Sequence, residues 1–146
     1  MLYISDAIVY CVIMATNRTS AIQLRFKEAG RFITILKDGK LTRGDIVALI
    51  KEALAKSRIV DLNGRDLRAL NLSGLNLGRA DLSNANLSRS DLSNTILFNA
   101  NLHSTDFSNA NLSYIDFSYA DLSGAKLNGA NMYYAVLLKA IMPVSV

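Results

Sequence analysis

His103 is the one histidine in a chain of 146 residues and its only candidate general base. Proton transfer needs such a group within hydrogen-bond reach of a reacting partner, and a metal site needs several His, Cys or carboxylate ligands converging on one point. Neither set can be assembled here. The single cysteine is Cys11, both glutamates (Glu28 and Glu52) stand in the first 59 residues, and Lys126 and Lys139 are the only lysines after residue 60. No catalytic, cofactor-binding or metal-binding residue is expected, and no cofactor. What the chain holds in quantity is a regular series of Asp and Asn. It includes Asp61, Asp81, Asn101 and Asp121, and five residues further on Asp66, Asn86, Asp106 and Lys126. His103 falls between Ser83 and Ser123 at the same spacing of twenty, on an outward position of whatever element carries that series.

The series belongs to a five-residue repeat. From Val60 to Lys139 the chain divides into sixteen consecutive fives, from VDLNG and RDLRA through SDLSN and TILFN to AVLLK, followed by AIMPV at 140–144. A step of five advances an α-helix about 140° beyond a full turn, which spreads the central Leu residues round the axis. On a flat strand an odd step sends successive Leu residues to opposite faces. A chain that bends once per repeat can instead point every central residue at a common axis, with Asn, Ser, Gly and Asp at the corners because these types form turns readily. Four corners make a square coil of twenty residues, and sixteen repeats make four coils stacked at about 4.8 Å, roughly 20 Å in all.

This stretch resembles the pentapeptide-repeat family, whose A-(D/N)-L-x-x pattern is met by Ala80-Asp81-Leu82, Ala85-Asn86-Leu87, Ala110-Asn111-Leu112 and Ala120-Asp121-Leu122. The resemblance implies an all-β fold, a right-handed quadrilateral β-helix over residues 60–144. Its register assigns four inward columns, and puts Phe107 and Phe117 in one coil on opposite sides of the axis. In the first coil Val60, Arg65, Leu70 and Leu75 replace the small inward residue, as expected of an end coil lying under a cap.

Residues 1–59 form the head, a small α+β cap region, and residues 60–146 the repeat domain. Thr42 with Asp45 three residues on is a helix start, and Ile46, Val47, Leu49, Ile50, Ala53 and Leu54 recur at helical spacing, which predicts a helix over about 43–57. Ile22–Lys27 alternates as a strand, Glu28-Ala29-Gly30 is a turn and Arg31–Leu36 a returning strand. Residues 7–14 suit a third strand, or else precede the true start at Met14. The longest apolar run, Ala7 to Ala15, is shorter than the roughly 20 residues a membrane span needs, so no span is expected. One cysteine permits no internal disulfide, and the location expected is cytoplasmic.

The head carries ten Lys/Arg against five Asp/Glu, and residues 60–146 six against seven. In the resembled family, quinolone-resistance members that protect DNA gyrase have acidic faces and imitate duplex DNA. That makes a topoisomerase protector the alternative reading, although a repeat domain with a net charge of −1 lacks the acidity. Nucleic acid itself is not an expected partner, because no groove of basic residues interleaved with aromatics can be traced.

The leading reading is a non-enzymatic scaffold that binds another protein. It rests on apolar residues standing where the repeat calls for polar ones. Ile96 and Phe98 flank Leu97, Val136 and Leu138 flank Leu137, Tyr133 and Tyr134 follow Met132, and Tyr114 and Tyr119 stand at corners. Exposed apolar patches of this kind mark contacts. These eight residues are the candidate interaction surface for an unidentified protein partner. The C-terminal coil is a further candidate, for a homodimer.

Overall fold

The computed structural model describes residues 24–28, 31–35 and 41–144. The third strand expected at 7–14, the alternative start at Met14 and the two C-terminal residues lie outside these. The chain divides into two compact units, residues 1–40 and 41–146. In the first, strand β1 (Leu24–Glu28) pairs antiparallel with β2 (Arg31–Ile35), Leu24 opposite Ile35 and Glu28 opposite Arg31. Glu28, expected in the turn, thus ends β1 and pairs with Arg31, while residues 22, 23, 29, 30 and 36 of the expected hairpin lie outside the described residues.

The second unit opens with helix α1 (Arg43–Ala55). Its N-terminus is closed by a full capping box, in which the Thr42 hydroxyl accepts from the Asp45 N–H and the Asp45 carboxylate accepts from the Thr42 N–H at 2.8 Å. Such a box satisfies two of the donors a helix start leaves over. The helix ends two residues before the limit set by its apolar spacing. Ser57 adopts φ 51°, and the N–H of Arg58 then reaches back to the Ala53 carbonyl at 2.9 Å, the backbone geometry that closes a helix C-terminus. Ile46 and Ala53 are buried, Leu49 and Ile50 pack beside them, and Leu54 faces out.

All four pack on the first coil, so α1 belongs with the repeats. The packing boundary therefore lies between residues 40 and 41, whereas the pattern boundary, where the repeat begins, lies between 59 and 60.

From Asp61 onward, parallel bridges join each residue to one twenty further on. One column runs Asp61, Asp81, Asn101, Asp121, Ile141, and three others begin at Asp66, Asn71 and Asn76. Twenty residues per coil means four repeats per coil and four faces. Corners follow from a second set of bonds. In fifteen of the sixteen repeats the central residue's carbonyl accepts from the N–H three residues on, as from Ala85 to Leu82 at 3.0 Å, and in all sixteen the corner residue before that N–H has positive φ. That is the type II turn, which favours Gly or Asn at its third position. Corner positions recur every fifth residue from Gly64 to Lys139. At Gly129 the requirement is steric as well, because a Cβ there would lie 2.5 Å from the Asn109 side-chain oxygen.

Each coil hydrogen-bonds to the next through two donors and one acceptor per face. Leu82 N–H donates to Asn101 O at 2.9 Å, Asn84 N–H to His103 O at 2.9 Å, and Ala80 O accepts from Asn101 N–H at 3.0 Å. The central residues fill the axis. Every one from Leu62 to Leu122 is essentially inaccessible, and Phe107 and Phe117 meet edge to face across a single coil with centroids 5.9 Å apart. Buried Thr95 and Thr105 occupy the small inward position without stranding a hydroxyl, donating to Leu72 O at 3.0 Å and Leu82 O at 2.8 Å. Towards the C-terminus the interior opens, with Leu137 38% and Met142 40% exposed. No helix among the described residues is long and apolar enough to cross a membrane.

Candidate interaction surface

The Asp/Asn series has a local task. In thirteen repeats the side-chain oxygen of this residue accepts the backbone N–H two positions later, at the approach to the corner, over 2.9–3.3 Å. A short side chain bonding its own backbone two residues on is the Asx turn. Stacked charge is relieved by interleaved amides, as Asn101 donates to Asp81 at 3.2 Å and Asn111 to Asp91 at 3.1 Å. The same bonds hold acids ionised. A backbone hydrogen bond from Ser93 lowers the Asp91 pKa, and side-chain hydrogen bonds from Ser108 and Ser123 lower those of Asp106 and Asp121. The sequence pattern placed these residues near corners but did not disclose the bond, since Asp and Asn suit a turn whether or not they cap it.

His103 lies where the register puts it, exposed, with Nδ1 2.9 Å from the Ser123 hydroxyl. The Ser123 backbone N–H donates to the Asp121 carboxylate at 2.9 Å, so a carboxylate, a serine and an imidazole are linked with the serine in the middle. A nucleophile needs the base between itself and the acid, and this order does not provide it. Among the described residues no group of three or more His, Cys, Asp or Glu could hold a metal ion.

Three repeats lack the Asx acceptor: those with Ile96, Lys126 and Val136 at its place. Ile96 and Val136 share the column Asn76, Ile96, Asp116, Val136. Phe98 and Leu138 lie in the same repeats, on the same face, one coil to either side of Ser118. This face is bordered by two corner columns, one holding Tyr114 and Tyr134, the other Tyr119 and Lys139. All eight candidate residues, Tyr133 included just round the first corner, are between 40% and 63% exposed.

Aromatic contacts tie them together. Tyr114 and Tyr134 stack at 5.2 Å, and Tyr133 stands edge-on to Tyr134 at 4.1 Å. Across the face Tyr119 meets Phe98 at 5.5 Å, and the Lys139 ammonium lies 5.4 Å from the centre of the Tyr119 ring. A hydrogen bond with Tyr134 raises the Tyr133 phenol above the usual tyrosine pKa. Sequence spacing put Ile96 and Phe98 two coils from Val136 and Leu138 with polar residues between; Tyr119, reaching over from the corner to Phe98, narrows that gap.

These tyrosines hold costly positions. Tyr114, Tyr119 and Tyr134 have φ of 57°, 60° and 57°, where a residue with a Cβ is disfavoured by about 1–2 kcal/mol. Five rings of about 200 Å² each, half exposed, present on the order of 500 Å² of aromatic surface, near the upper end for the largest apolar patch on a monomer.

The family model described as Pentapeptide repeats matches in overlapping stretches from residue 61 to residue 142, with eight copies. The chain belongs to the pentapeptide-repeat family. Among solved structures, this pentapeptide-repeat chain is similar to one from the thylakoid lumen of Arabidopsis thaliana, with 31% identity and a TM-score of 0.54. The match covers 56% of each chain, so it spans little more than half the length of that relative. A pentapeptide repeat protein from Nostoc PCC 7120 matches over 69% of this chain and 87% of its own, at 26% identity and a TM-score of 0.38. The plasmid-mediated fluoroquinolone resistance protein QnrB1 matches over 51% and 56% at 16% identity and a TM-score of 0.22, a likeness too distant to bear on function. A search of curated proteins finds no match.

Proposed function

We propose that this pentapeptide-repeat protein is a non-enzymatic scaffold whose right-handed quadrilateral coil presents the face around Ile96, Phe98, Val136 and Leu138, with its flanking tyrosines, to a protein partner. The observation that carries this reading is a forfeited bond. Where thirteen repeats fix their corner with an Asx acceptor, Ile96 and Val136 give that acceptor up on one and the same face. Each such bond contributes about 0.5–1.5 kcal/mol, and bulky tyrosines at left-handed corners add strain beside it. Stability given up at one place on a surface, in favour of exposed apolar and aromatic groups, fits a contact site. A homodimer through the C-terminal coil is the second form that contact takes, supported by the exposed Tyr133 and Tyr134 on the outside of that coil.

The test is photo-crosslinking from position 133 in extract of the native source, together with light scattering of the pure protein. A discrete adduct that unlabelled wild type competes away, and Phe98→Ser/Tyr134→Gly protein does not, is expected. Tyr134→Gly relieves a left-handed corner, so the variant keeps its fold. A strict monomer with no competable adduct overturns the reading. The gyrase-protector alternative fares poorly on this surface, since every column mixes amides with its carboxylates, the one that begins at Asp66 also holds Lys126, and the one that begins at Asn76 has Asp116 as its single carboxylate. Absence of any effect on gyrase supercoiling at micromolar protein disposes of it.

A further inference from the structure

Resting on the reading of the Ile96–Phe98 face as a contact site, we infer that its partner is a second copy of this chain, packed side by side with its coil axis parallel, about a two-fold axis that runs along the coils. The apolar character of the face does not depend on an end of the stack. Ile96, Phe98, Tyr114 and Tyr119 lie in the second and third coils and are 40–54% exposed. Both coils are bonded on either side: Ile96 N–H donates to Leu75 O at 3.0 Å and Leu97 N–H to Asp116 O at 2.8 Å, while Asp116 N–H donates to Thr95 O at 3.1 Å and Phe117 N–H to Val136 O at 2.8 Å. These side chains are exposed because they point outward from the coil.

A two-fold contact is self-complementary, so the face must suit itself. Two orientations are open to it. With the axis across the coils their order reverses. For the two apolar pairs to cover each other, the second coil must then lie on the fourth, and Asp116 of the column Asn76, Ile96, Asp116, Val136 faces its own equivalent. Like charges set opposite each other oppose the contact. With the axis along the coils each level meets the same level, because a rotation produces no shift along its axis. The residues before and after the central one exchange places. Ile96 then faces Phe98, Val136 faces Leu138, and Asp116 faces Ser118, whose hydroxyl can donate to it. The bordering corners exchange too, so that Tyr114 faces Tyr119. Lys139, already 5.4 Å from the centre of the Tyr119 ring, faces Tyr134 and gains a second ring for its ammonium. No charge is opposed by its like, and both surfaces step at the same spacing of about 4.8 Å, so the match holds from coil to coil.

The area fits a small, reversible interface. Phe98, Tyr114, Tyr119 and Tyr134, about half exposed at roughly 200 Å² each, offer about 400 Å². Ile96, Val136 and Leu138, also about half exposed, add on the order of 50 Å² each. The total is roughly 550 Å² per copy and about 1,100 Å² for the pair, which clears the ~1,000 Å² of a specific interface at the weak end of the range.

The pure full chain settles this by sedimentation velocity from about 1 to about 300 μM, with circular dichroism as the check on folding. Wild type is expected to pass reversibly from a 16.0 kDa monomer to a dimer across that range. Ile96→Lys and Phe98→Glu change outward positions at which other repeats already carry Lys126 and Arg68. Each alone sets an unpaired charge against an apolar side chain and loses at least about tenfold in affinity. Mixed in equal amounts at low salt, the two proteins regain the dimer. The new lysine of one then lies opposite the new glutamate of the other, while the unchanged Phe98 and Ile96 meet at the second contact. Val136→Lys and Leu138→Glu repeat the exchange in the fourth coil, and decide if either of the first two proteins does not fold. A wild type that stays monomeric throughout, a dimer that both substitutions leave undiminished, or a mixture that stays monomeric overturns the proposal. A monomeric wild type that still forms the competable adduct in native extract overturns the second copy as partner and leaves the contact site standing.

Discussion

Replacing Phe107 by alanine tests whether the axis of the coil is packed as described. The ring is wholly buried and stands edge-on to Phe117 at 5.9 Å within one coil. Coils above and below cannot close in on the vacated space, because the same repeat is tied to both: Leu87 N–H donates to Asp106 O at 2.8 Å and Phe107 N–H to Lys126 O at 2.8 Å. A cavity on the order of 100 Å³ that fails to collapse costs about 2.4 kcal/mol at 24 cal/mol per Å³. The lost transfer free energy of the ring adds about 2 kcal/mol, and the aromatic pair roughly another 0.5–1 kcal/mol. The sum, about 4–5 kcal/mol, lies at the upper end for such truncations. Leu137→Ala is the internal comparison. That side chain is already 38% exposed at the open end of the stack, so a loss of about 1 kcal/mol is expected there. Urea denaturation followed by far-ultraviolet circular dichroism and tyrosine fluorescence measures both. A loss below about 1 kcal/mol for Phe107→Ala, or equal losses at the two sites, would refute a closed interior that opens only towards the C-terminus.

Two further outcomes follow from the corners and the Asx bonds. Ala69 has φ 57° at a corner and carries only a methyl group, so Ala69→Gly removes the left-handed penalty of about 1–2 kcal/mol and regains about 0.5–1 kcal/mol of flexibility in the unfolded chain. A net gain of about 0.5–1 kcal/mol in denaturant midpoint analysis is expected, and a loss would mean that the corner is not left-handed. Folded-state pKa values of Asp91, Asp106 and Asp121 are lowered, so their contribution is complete above the unfolded carboxylate pKa of about 3.9 and disappears as pH falls through the lower folded values. Thermal midpoints should therefore be level from pH 6 to about pH 5 and fall steeply below about pH 4. Asp91→Asn, which keeps the acceptor oxygen without the charge, should soften that fall.

Much of the fold was legible because a five-residue period leaves few ways to bury its central Leu. The identity of the inward residues, the pairing of Phe107 with Phe117 in one coil and the position of α1 all follow from register and spacing. Boundaries were less secure. Apolar spacing carries α1 to about residue 57, but the left-handed turn at Ser57 ends it at Ala55, and a serine gives no such notice. The Asp/Asn residues were open to a reading as solvated surface or as imitation of an acidic polymer; only the distances to the N–H two residues on gave them a task. The eight apolar and aromatic residues could be picked out one by one as departures from the pattern, yet the grouping of Tyr114, Tyr133 and Tyr134 into one cluster, and the contact of Tyr119 with Phe98, depends on which way side chains lean from a corner.

By itself, then, the sequence determined the number of repeats, the axis and the faces, since periodicity is a property of the chain and burial of Leu admits one solution to it. Arg43 shows what it left undecided. Nothing in the pattern around Thr42-Arg43-Gly44-Asp45 singles that arginine out from the fifteen other Lys and Arg of the chain. Its place against the Asn71 and Ser73 carbonyls, 28 and 30 residues away, exists only once α1 lies on the first coil. Long-range hydrogen bonding of this kind is written in no local preference, and the tertiary structure alone decides it.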